Sequence, residues 1–350
     1  MIDKPYVSVI MPIRNEASFI GRSLGAVMAQ DYPPDRLEIL VVDGMSTDET
    51  RGIVESLQTQ QACPIIRLLD NPAKIVPAGI NQGLRVASGD VIVRVDGHTE
   101  IAPDYVRQCV TVLKKSGADN VGGKMTAVGV TPFGEAVSLA TSAPFGVGGA
   151  KFHYSDQEEW VDTVYLGAWP RDVFQRIGYF DEELVRDQDD EFNYRLREYD
   201  GRILLSPQIK SVYTVRSTAR SLWRQYFQYG FWKIRVLQKH PSQMQPRQFA
   251  PPFLAAILIF FTLTAPFTRL ARWLLALVVV VYGIVNLLSS VLLAAHKGWK
   301  HLWRLPQIFT ILHIGYGTGF LAGLIRFADR WGDENQNFPL GENRIDDKDK

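Results

Sequence analysis

Cysteine is nearly absent, with only Cys63 and Cys109 in 350 residues. That leaves no metal-type thiol spacing and no disulfide framework, and it fits a reducing compartment. Net charge is small as well. Lys and Arg number 38 against 37 Asp and Glu, for +1 overall, so no general field recommends nucleic acid as a partner. Internal repeats and low-complexity tracts are missing, which excludes a repeat architecture. Nor is a secretory leader visible, since Met1 runs straight into the strand-like Tyr6-Val7-Ser8-Val9-Ile10-Met11.

Long apolar runs, by contrast, crowd the C-terminal third. Phe249 to Phe267 carries no charge, and Trp273 to Ala295 is a longer uncharged run. At ~1.5 Å rise per residue against ~30 Å of hydrocarbon, each spans or nearly spans a bilayer. Pro306 to Ile325 is a third candidate, interrupted by glycines and His313. Arg220, Arg224, Lys233, Arg235, Lys239 and Arg247 precede the first run, and Lys297, Lys300 and Arg304 follow the second. Positive-inside counting puts both groups in the cytoplasm. A third full span would leave the acidic tail after Asp333 outside. The expected organisation is a head over 1–215, a basic and aromatic interfacial segment over 216–248, a membrane region over 249–327 and a polar tail over 328–350.

Within the head, β-rich runs alternate with helical patterns. Strands are expected at Tyr6 to Met11, Leu37 to Val42, Ile65 to Leu69 and Val91 to Val95. Helices are expected at Ala17 to Ala29, from a Ser46/Glu49 capping box to about Gln60, and at Val76 to Ala87. This alternation predicts an α/β fold with a mainly parallel sheet covered by helices on both faces. The glycine-rich stretch Gly122 to Gly149 reads either as a mobile loop closing over substrate or as an ordinary connection.

Two aspartates follow those strands. Asp43 opens Asp-Gly-Met-Ser-Thr-Asp-Glu-Thr, and Asp96 opens Asp-Gly-His after Val91-Ile92-Val93-Arg94-Val95. Both should project from the carboxyl edge of the sheet, where open α/β sheets bind ligands. One carboxylate can accept from a nucleoside, and the other can hold a divalent cation over a diphosphate. Asp96 and His98, two residues apart on a tight turn, can face one ion. Oxygen suits Mg²⁺ or Mn²⁺, and the imidazole leans toward Mn²⁺. A third constellation, Arg186-Asp187-Gln188-Asp189-Asp190-Glu191-Phe192-Asn193-Tyr194-Arg195-Leu196, is either favourable pairing with a helix dipole or a source of general base.

These motifs, in this order, resemble family 2 glycosyltransferases, which have a GT-A fold. Ser8-Val9-Ile10-Met11-Pro12-Ile13-Arg14-Asn15-Glu16 matches that family's first strand and loop. Asp43 to Asp48 resembles its nucleoside motif, Asp96-Gly97-His98 its metal-binding Asp-x-Asp, and Gln188 to Leu196 its Glu-Asp motif. Val93 to His98, Gln188 to Leu196 and Ser221-Leu222-Trp223-Arg224-Gln225-Tyr226-Phe227 are similar to the ExoA-type succinoglycan glucosyltransferases. Those are bacterial inner-membrane enzymes that extend a polyprenyl-diphosphate-linked oligosaccharide in exopolysaccharide synthesis. This chain is therefore expected to be a multi-pass inner-membrane protein with its catalytic domain in the cytoplasm.

The resemblance implies Pro12, Arg14, Glu16 and Asp43 around the nucleoside of a UDP-sugar, with UDP-glucose expected. It implies Asp96 at the metal and diphosphate with His98, and Asp189 as the base of an inverting transfer, with Asp190 as its competitor. Other polysaccharide-assembly enzymes are the implied partners besides the lipid bilayer. Two departures stand out: His98 replaces the usual aspartate, and Gln188 replaces the usual glutamate. Two rivals stand: a polyprenyl-phosphate monosaccharide transferase, whose acceptor is the bare lipid phosphate, and a non-catalytic assembly subunit, in which the changed His98 and Gln188 mark a decayed site.

On the acceptor side, Trp223, Phe227, Phe231 and Ile234 share one face of a basic helix. That face either meets the bilayer interface or packs against the head. The local Arg224-Gln225-Tyr226-Phe227-Gln228-Tyr229 lacks the Gln-x-x-Arg-Trp signature of processive synthases, which favours single-sugar transfer. Trp169 either stacks on an acceptor sugar or packs.

Overall fold

All seven residues of strand β1 (Val7–Ile13), and all seven of β2 (Leu37–Asp43), are buried, as expected of strands covered on both faces. A computed structural model describes residues 4–60 and 63–333. The remaining strands are β3 (Ile65–Asp70), β4 (Val91–Arg94), β5 (Thr99–Ile101), β6 (Asn120–Val128), β7 (Glu159–Val161), β8 (Tyr165–Pro170) and β9 (Ile203–Thr214). Among the described residues they form one sheet in the order β3-β2-β1-β4-β8-β6-β9-β5, with β7 on β9.

The β3-β2-β1-β4 half is parallel, and β8 joins β4 antiparallel. The sheet is therefore mixed beyond β4. Its parallel half sets the register that matters. Asp43 stands opposite Ile13 and Asp70, and Arg94 opposite Ile10, so the chain leaves β1, β2 and β4 at one edge.

Helices in chain order are α1 (Ile20–Met28), α2 (Thr50–Gln60), α3 (Val76–Val86), α4 (Tyr105–Ser116), α5 (Pro132–Thr141), α6 (Pro144–Val147), α7 (Asp172–Ile177), α8 (Gln188–Glu198), α9 (Ala219–Lys239), α10 (Ala250–Thr264), α11 (Arg269–Lys297) and α12 (Leu305–Arg326). Ile20, Leu24 and Val27 of α1, Val54 of α2 and Val106, Cys109 and Leu113 of α4 share a core with Val7, Val9, Met11, Ile39, Val41, Val91 and Val93. The opposite face takes α3. A methyl group on Gly83 would stand 2.6 Å from Ile10 Cγ2, so only glycine lets α3 lie that close.

Two compact units result among the described residues: 4–124 with 156–211 and 332–333, and 125–155 with 212–331. The stretch Gly122 to Gly149 is ordered rather than a simple loop, for it holds the end of β6, α5 and α6. In the second unit α5 and α6 pack on α12. Phe145 meets Phe309 edge-on at 4.9 Å, and Phe145 O is 2.7 Å from His313 Nε2.

The three apolar runs appear as helices long and apolar enough to cross a membrane. The aromatic stripe of α9 meets α12, as its glycine contacts record. A methyl on Gly319 would fall 2.0 Å from Phe227 O, and one on Gly323 would fall 2.5 Å from Phe231 O and 2.9 Å from Ile234.

Candidate active site

The loops after β1 and β2 are laced together by short polar side chains. Asn15 sits in the left-handed region (φ 54°), where asparagine is tolerated. Its N–H donates to Ser46 Oγ at 2.8 Å, and its Oδ1 accepts from Thr47 N–H at 2.8 Å. Glu16 N–H donates to Thr50 Oγ1 at 2.8 Å. Ser46 Oγ in turn donates to Asp43 Oδ1 at 2.5 Å. Ser46 thus serves Asp43 and Asn15, whereas the sequence suggested that it caps α2.

Asp43 is fully buried and ion-paired with Arg51 at 3.0 Å, and Arg51 reaches Asp70 at 2.7 Å. Arg51 therefore ties the ends of β2 and β3. Pro12 is buried within β1, where a methyl on Gly79 of α3 would stand 3.4 Å from its Cβ. Arg14 is exposed, with Nη1 3.3 Å from Lys74 O.

Beside these loops lies the Asp96-Gly97-His98 turn. A methyl on Gly97 would stand 2.9 Å from Ile13 and 3.0 Å from Glu16 Cγ, so glycine is what allows the turn to close on the β1 loop. Glu16 Oε1 is 3.0 Å from His98 Nδ1. The buried guanidinium of Arg94 holds Asp96 through Nε to Oδ1 at 2.8 Å and Nη2 to Oδ2 at 3.2 Å. Its third nitrogen, Nη1, is buried with no hydrogen-bond partner among the described residues and lies 3.9 Å from Asp189 Oδ2. Burial pushes the Asp96 carboxyl up, but Arg94, with His98 and Arg186, outweighs it and holds the group below the usual range. Asp189 goes the other way. Desolvation raises it, Asp190 and Asp96 add repulsion, and Arg94 offsets only part.

Helix α8 splits the acidic motif between two tasks. Gln188, Glu191, Phe192 and Arg195 are buried, with Glu191 Oε1 2.9 Å from Arg195 Nε and the Arg195 guanidinium donating to the carbonyls of Ile177 and Tyr179. These residues anchor the helix. Asp189, 40% exposed, sits in its first turn beside Arg94. Asp190 Oδ1 is 3.4 Å from Thr163 Oγ1. Trp169 packs: it is 3% exposed and meets Phe174, Phe180 and Phe192 edge-on at 5.8–6.1 Å.

Residues 8–178 match the family described as Glycosyl transferase family 2. This chain carries a family 2 glycosyltransferase domain. Over 92% of its length it is 28% identical to the succinoglycan biosynthesis protein ExoA of Rhizobium meliloti (strain 1021), covering 96% of that protein. A second relative is 24% identical over 92% of this chain and 98% of its own. It is the dolichyl N-acetyl-alpha-D-glucosaminyl phosphate 3-beta-D-2,3-diacetamido-2,3-dideoxy-beta-D-glucuronosyltransferase of Methanococcus voltae. In fold, the chain resembles the mannosyltransferase PcManGT of Pyrobaculum calidifontis, solved with GDP-Man and Mn²⁺. The TM-score is 0.62 at 20% identity, covering 92% of this chain and 88% of that one. The protein is accordingly a glycosyltransferase with a GT-A-like mixed sheet.

Within this glycosyltransferase domain, the donor set for a cation is sparse. Among the described residues no three His, Cys, Asp or Glu side chains converge on one point. One carboxylate and one imidazole fit an ion that takes its remaining ligands from a diphosphate and water, not one caged by protein. Sequence reasoning singled out Asp43, Asp96, His98 and Asp189 but missed Arg94 and Arg51. The signal for Arg94 was present, as a lone cation inside the apolar run Val91 to Val95. No comparable signal marked Arg51, whose role depends on two strand ends meeting.

Proposed function

We propose that this glycosyltransferase moves one sugar from a UDP-sugar, UDP-glucose being the first candidate, to a polyprenyl-diphosphate-linked saccharide, with inversion, on the cytoplasmic side of a bacterial inner membrane. The observation that carries the reading is the Arg94 guanidinium, bound to Asp96 at 2.8 Å and 3.9 Å from Asp189. A diphosphate-side carboxylate and a base candidate thus flank one fixed charge at the strand edge.

In this reading Asp189 accepts the proton of the acceptor hydroxyl. The freed oxygen attacks the anomeric carbon as the bond to the β-phosphate oxygen breaks, and the leaving group departs as the nucleoside diphosphate. A raised Asp189 suits it to hold that proton. Arg14 would be the exposed group on the nucleoside side, with buried Asp43 and Pro12 shaping it from beneath. Asp96 and His98 would hold a divalent cation, which neutralises the charge developing on the leaving diphosphate. Glu16 orients the imidazole: with the proton on Nδ1, His98 donates to Glu16.

One relative's name supports a lipid-linked saccharide as acceptor, since it describes transfer onto a dolichyl-phosphate-linked sugar, and the other's supports a role in polysaccharide synthesis. The test incubates membranes holding the full chain with radiolabelled UDP-glucose and Mn²⁺. Separate reactions receive a polyprenyl-diphosphate-linked saccharide or plain polyprenyl phosphate, with Asp189→Asn in parallel. Label on the linked saccharide, absent in the variant, is the expected result. Label on the bare phosphate would replace this reading with lipid-phosphate charging.

A further inference from the structure

The third apolar helix differs from the first two in what surrounds it. Along α10 Pro252 and Ala255 are buried and along α11 Ala271, Asn286, Ser290 and Ala294, whereas α12 buries nine of its 22 residues. The difference comes mostly from α9. Gly315, Gly319 and Gly323 of α12 lie against the carbonyls of Trp223, Phe227 and Phe231, each partner 92 positions earlier in the chain. That constant offset makes the two helices parallel and in step. The pairing continues to the end of α12, where Gln238 Nε2 donates to Phe327 O at 2.8 Å and Arg235 Nη1 lies 3.4 Å from Arg330 O.

A helix so paired cannot cross a bilayer alone. If α12 ran through the hydrocarbon, α9 would accompany it, carrying Arg220, Arg224, Lys233, Arg235 and Lys239. Each such residue costs about 2.5–3.5 kcal/mol at the centre of a membrane helix. A second contact gives the same answer independently. The first turn of α10 touches the middle of α12: a methyl on Gly317 would stand 2.4 Å from Pro251 O, and Phe249 meets Phe320 at 5.8 Å. Pro251 is where a crossing α10 enters the membrane. Gly317 stands roughly 18 Å along α12 from Leu305 at ~1.5 Å per residue, which in a crossing helix is near mid-bilayer. One point cannot be at the surface and at the centre.

We propose that the chain crosses the bilayer twice, through α10 and α11, and that the α9–α12 pair is a surface resting in the headgroup region of the near leaflet, so that Gly332 lies on the same side as Cys63. Exposed Ile325, Arg326 and Trp331 at the far end of α12 supply the apolar, basic and aromatic groups that suit this layer. The inference is independent of the transfer reaction.

The experiment is sided labelling of the full chain by a membrane-impermeant maleimide, in intact spheroplasts and in inverted inner-membrane vesicles of the expression host. Native Cys63 is exposed and Cys109 buried, so Cys63 reports the head. In a Cys63→Ser background, Gly332→Cys has open space around it and Phe267→Cys, 84% exposed, marks the α10–α11 connection. Cys63 and Gly332→Cys are expected to label at least tenfold more in inverted vesicles, and Phe267→Cys in spheroplasts. Gly332→Cys labelling from the side of Phe267→Cys would overturn the proposal, as would Phe267→Cys labelling from the side of Cys63. Should Gly332→Cys stay unlabelled in both, reporters fused after Lys350 decide. Fluorescent protein signal supports the arrangement, and active alkaline phosphatase overturns it.

Discussion

Arg94 grips Asp96 through two parallel hydrogen bonds, at 2.8 and 3.2 Å, from a strand position only 5% exposed. The pair is bidentate, the arrangement that best fixes a carboxylate's plane. It places a permanent positive charge behind the diphosphate side of the proposed site, and its remaining nitrogen faces Asp189.

Removing that guanidinium should be costly. Arg94→Met leaves Asp96 without its partner in a largely buried setting, a loss of about 3–5 kcal/mol for pairs of this kind. Arg94→Lys keeps the charge and loses the fork. Thermal unfolding in detergent should rank wild type above Arg94→Lys and Arg94→Lys above Arg94→Met. Equal midpoints for all three would show that the pair does not support the fold.

The acid limb of the rate should report Asp189. Burial, Asp190 and Asp96 raise this carboxyl above its ordinary 3.8, so the unprotonated base accumulates only above that raised value, and kcat climbs through it as pH rises. The same shift means that ionising Asp189 costs stability as pH rises through the interval between the ordinary and the raised value. Asp96, held low, instead adds stability above its ordinary value and loses it as pH falls through the lowered one. Asp190→Asn removes a like charge and should move the kcat limb to lower pH. A limb that stays in place argues against Asp189 as the titrating group.

His98 should tune the choice of ion. An imidazole beside a carboxylate leans toward Mn²⁺, while two carboxylates suit Mg²⁺. Chelation should abolish transfer, with Mn²⁺ restoring more of it than Mg²⁺. His98→Asp should narrow or reverse that ratio, read as rates with each ion at saturation. An unchanged ratio would remove His98 from the ion's surroundings.

Glycine on α12 should matter where it meets backbone and nowhere else. Gly319→Leu drives a side chain into Phe227 O and must part α9 from α12, whereas a methyl on Gly283 of α11 would meet nothing within 4 Å among the described residues. The Gly319→Leu protein should lose most of its monodisperse fraction after detergent extraction, while Gly283→Leu keeps it. Similar losses for both would mean that the helix pair is not what holds this unit together.

The sequence alone determined the family and the order of the parts. Alternating β-rich runs with helical patterns, turn residues after them, and uncharged stretches of bilayer length are local signals, so Asp43, Asp96, Asp189 and the apolar helices were all legible before any contact was known. Tertiary structure decided what depends on two distant segments meeting. Arg94 matters because α8 brings Asp189 beside β4. Asn15 binds Ser46 and Thr47 because the β1 loop folds onto the loop after β2. Trp169 is a core residue because Phe174, Phe180 and Phe192 enclose it. The glycines of α12, which in one dimension only weaken an apolar run, are where a second backbone fits. Periodicity fixes which face a residue takes on its own element, but the identity of the partner across that face is a property of the packed chain.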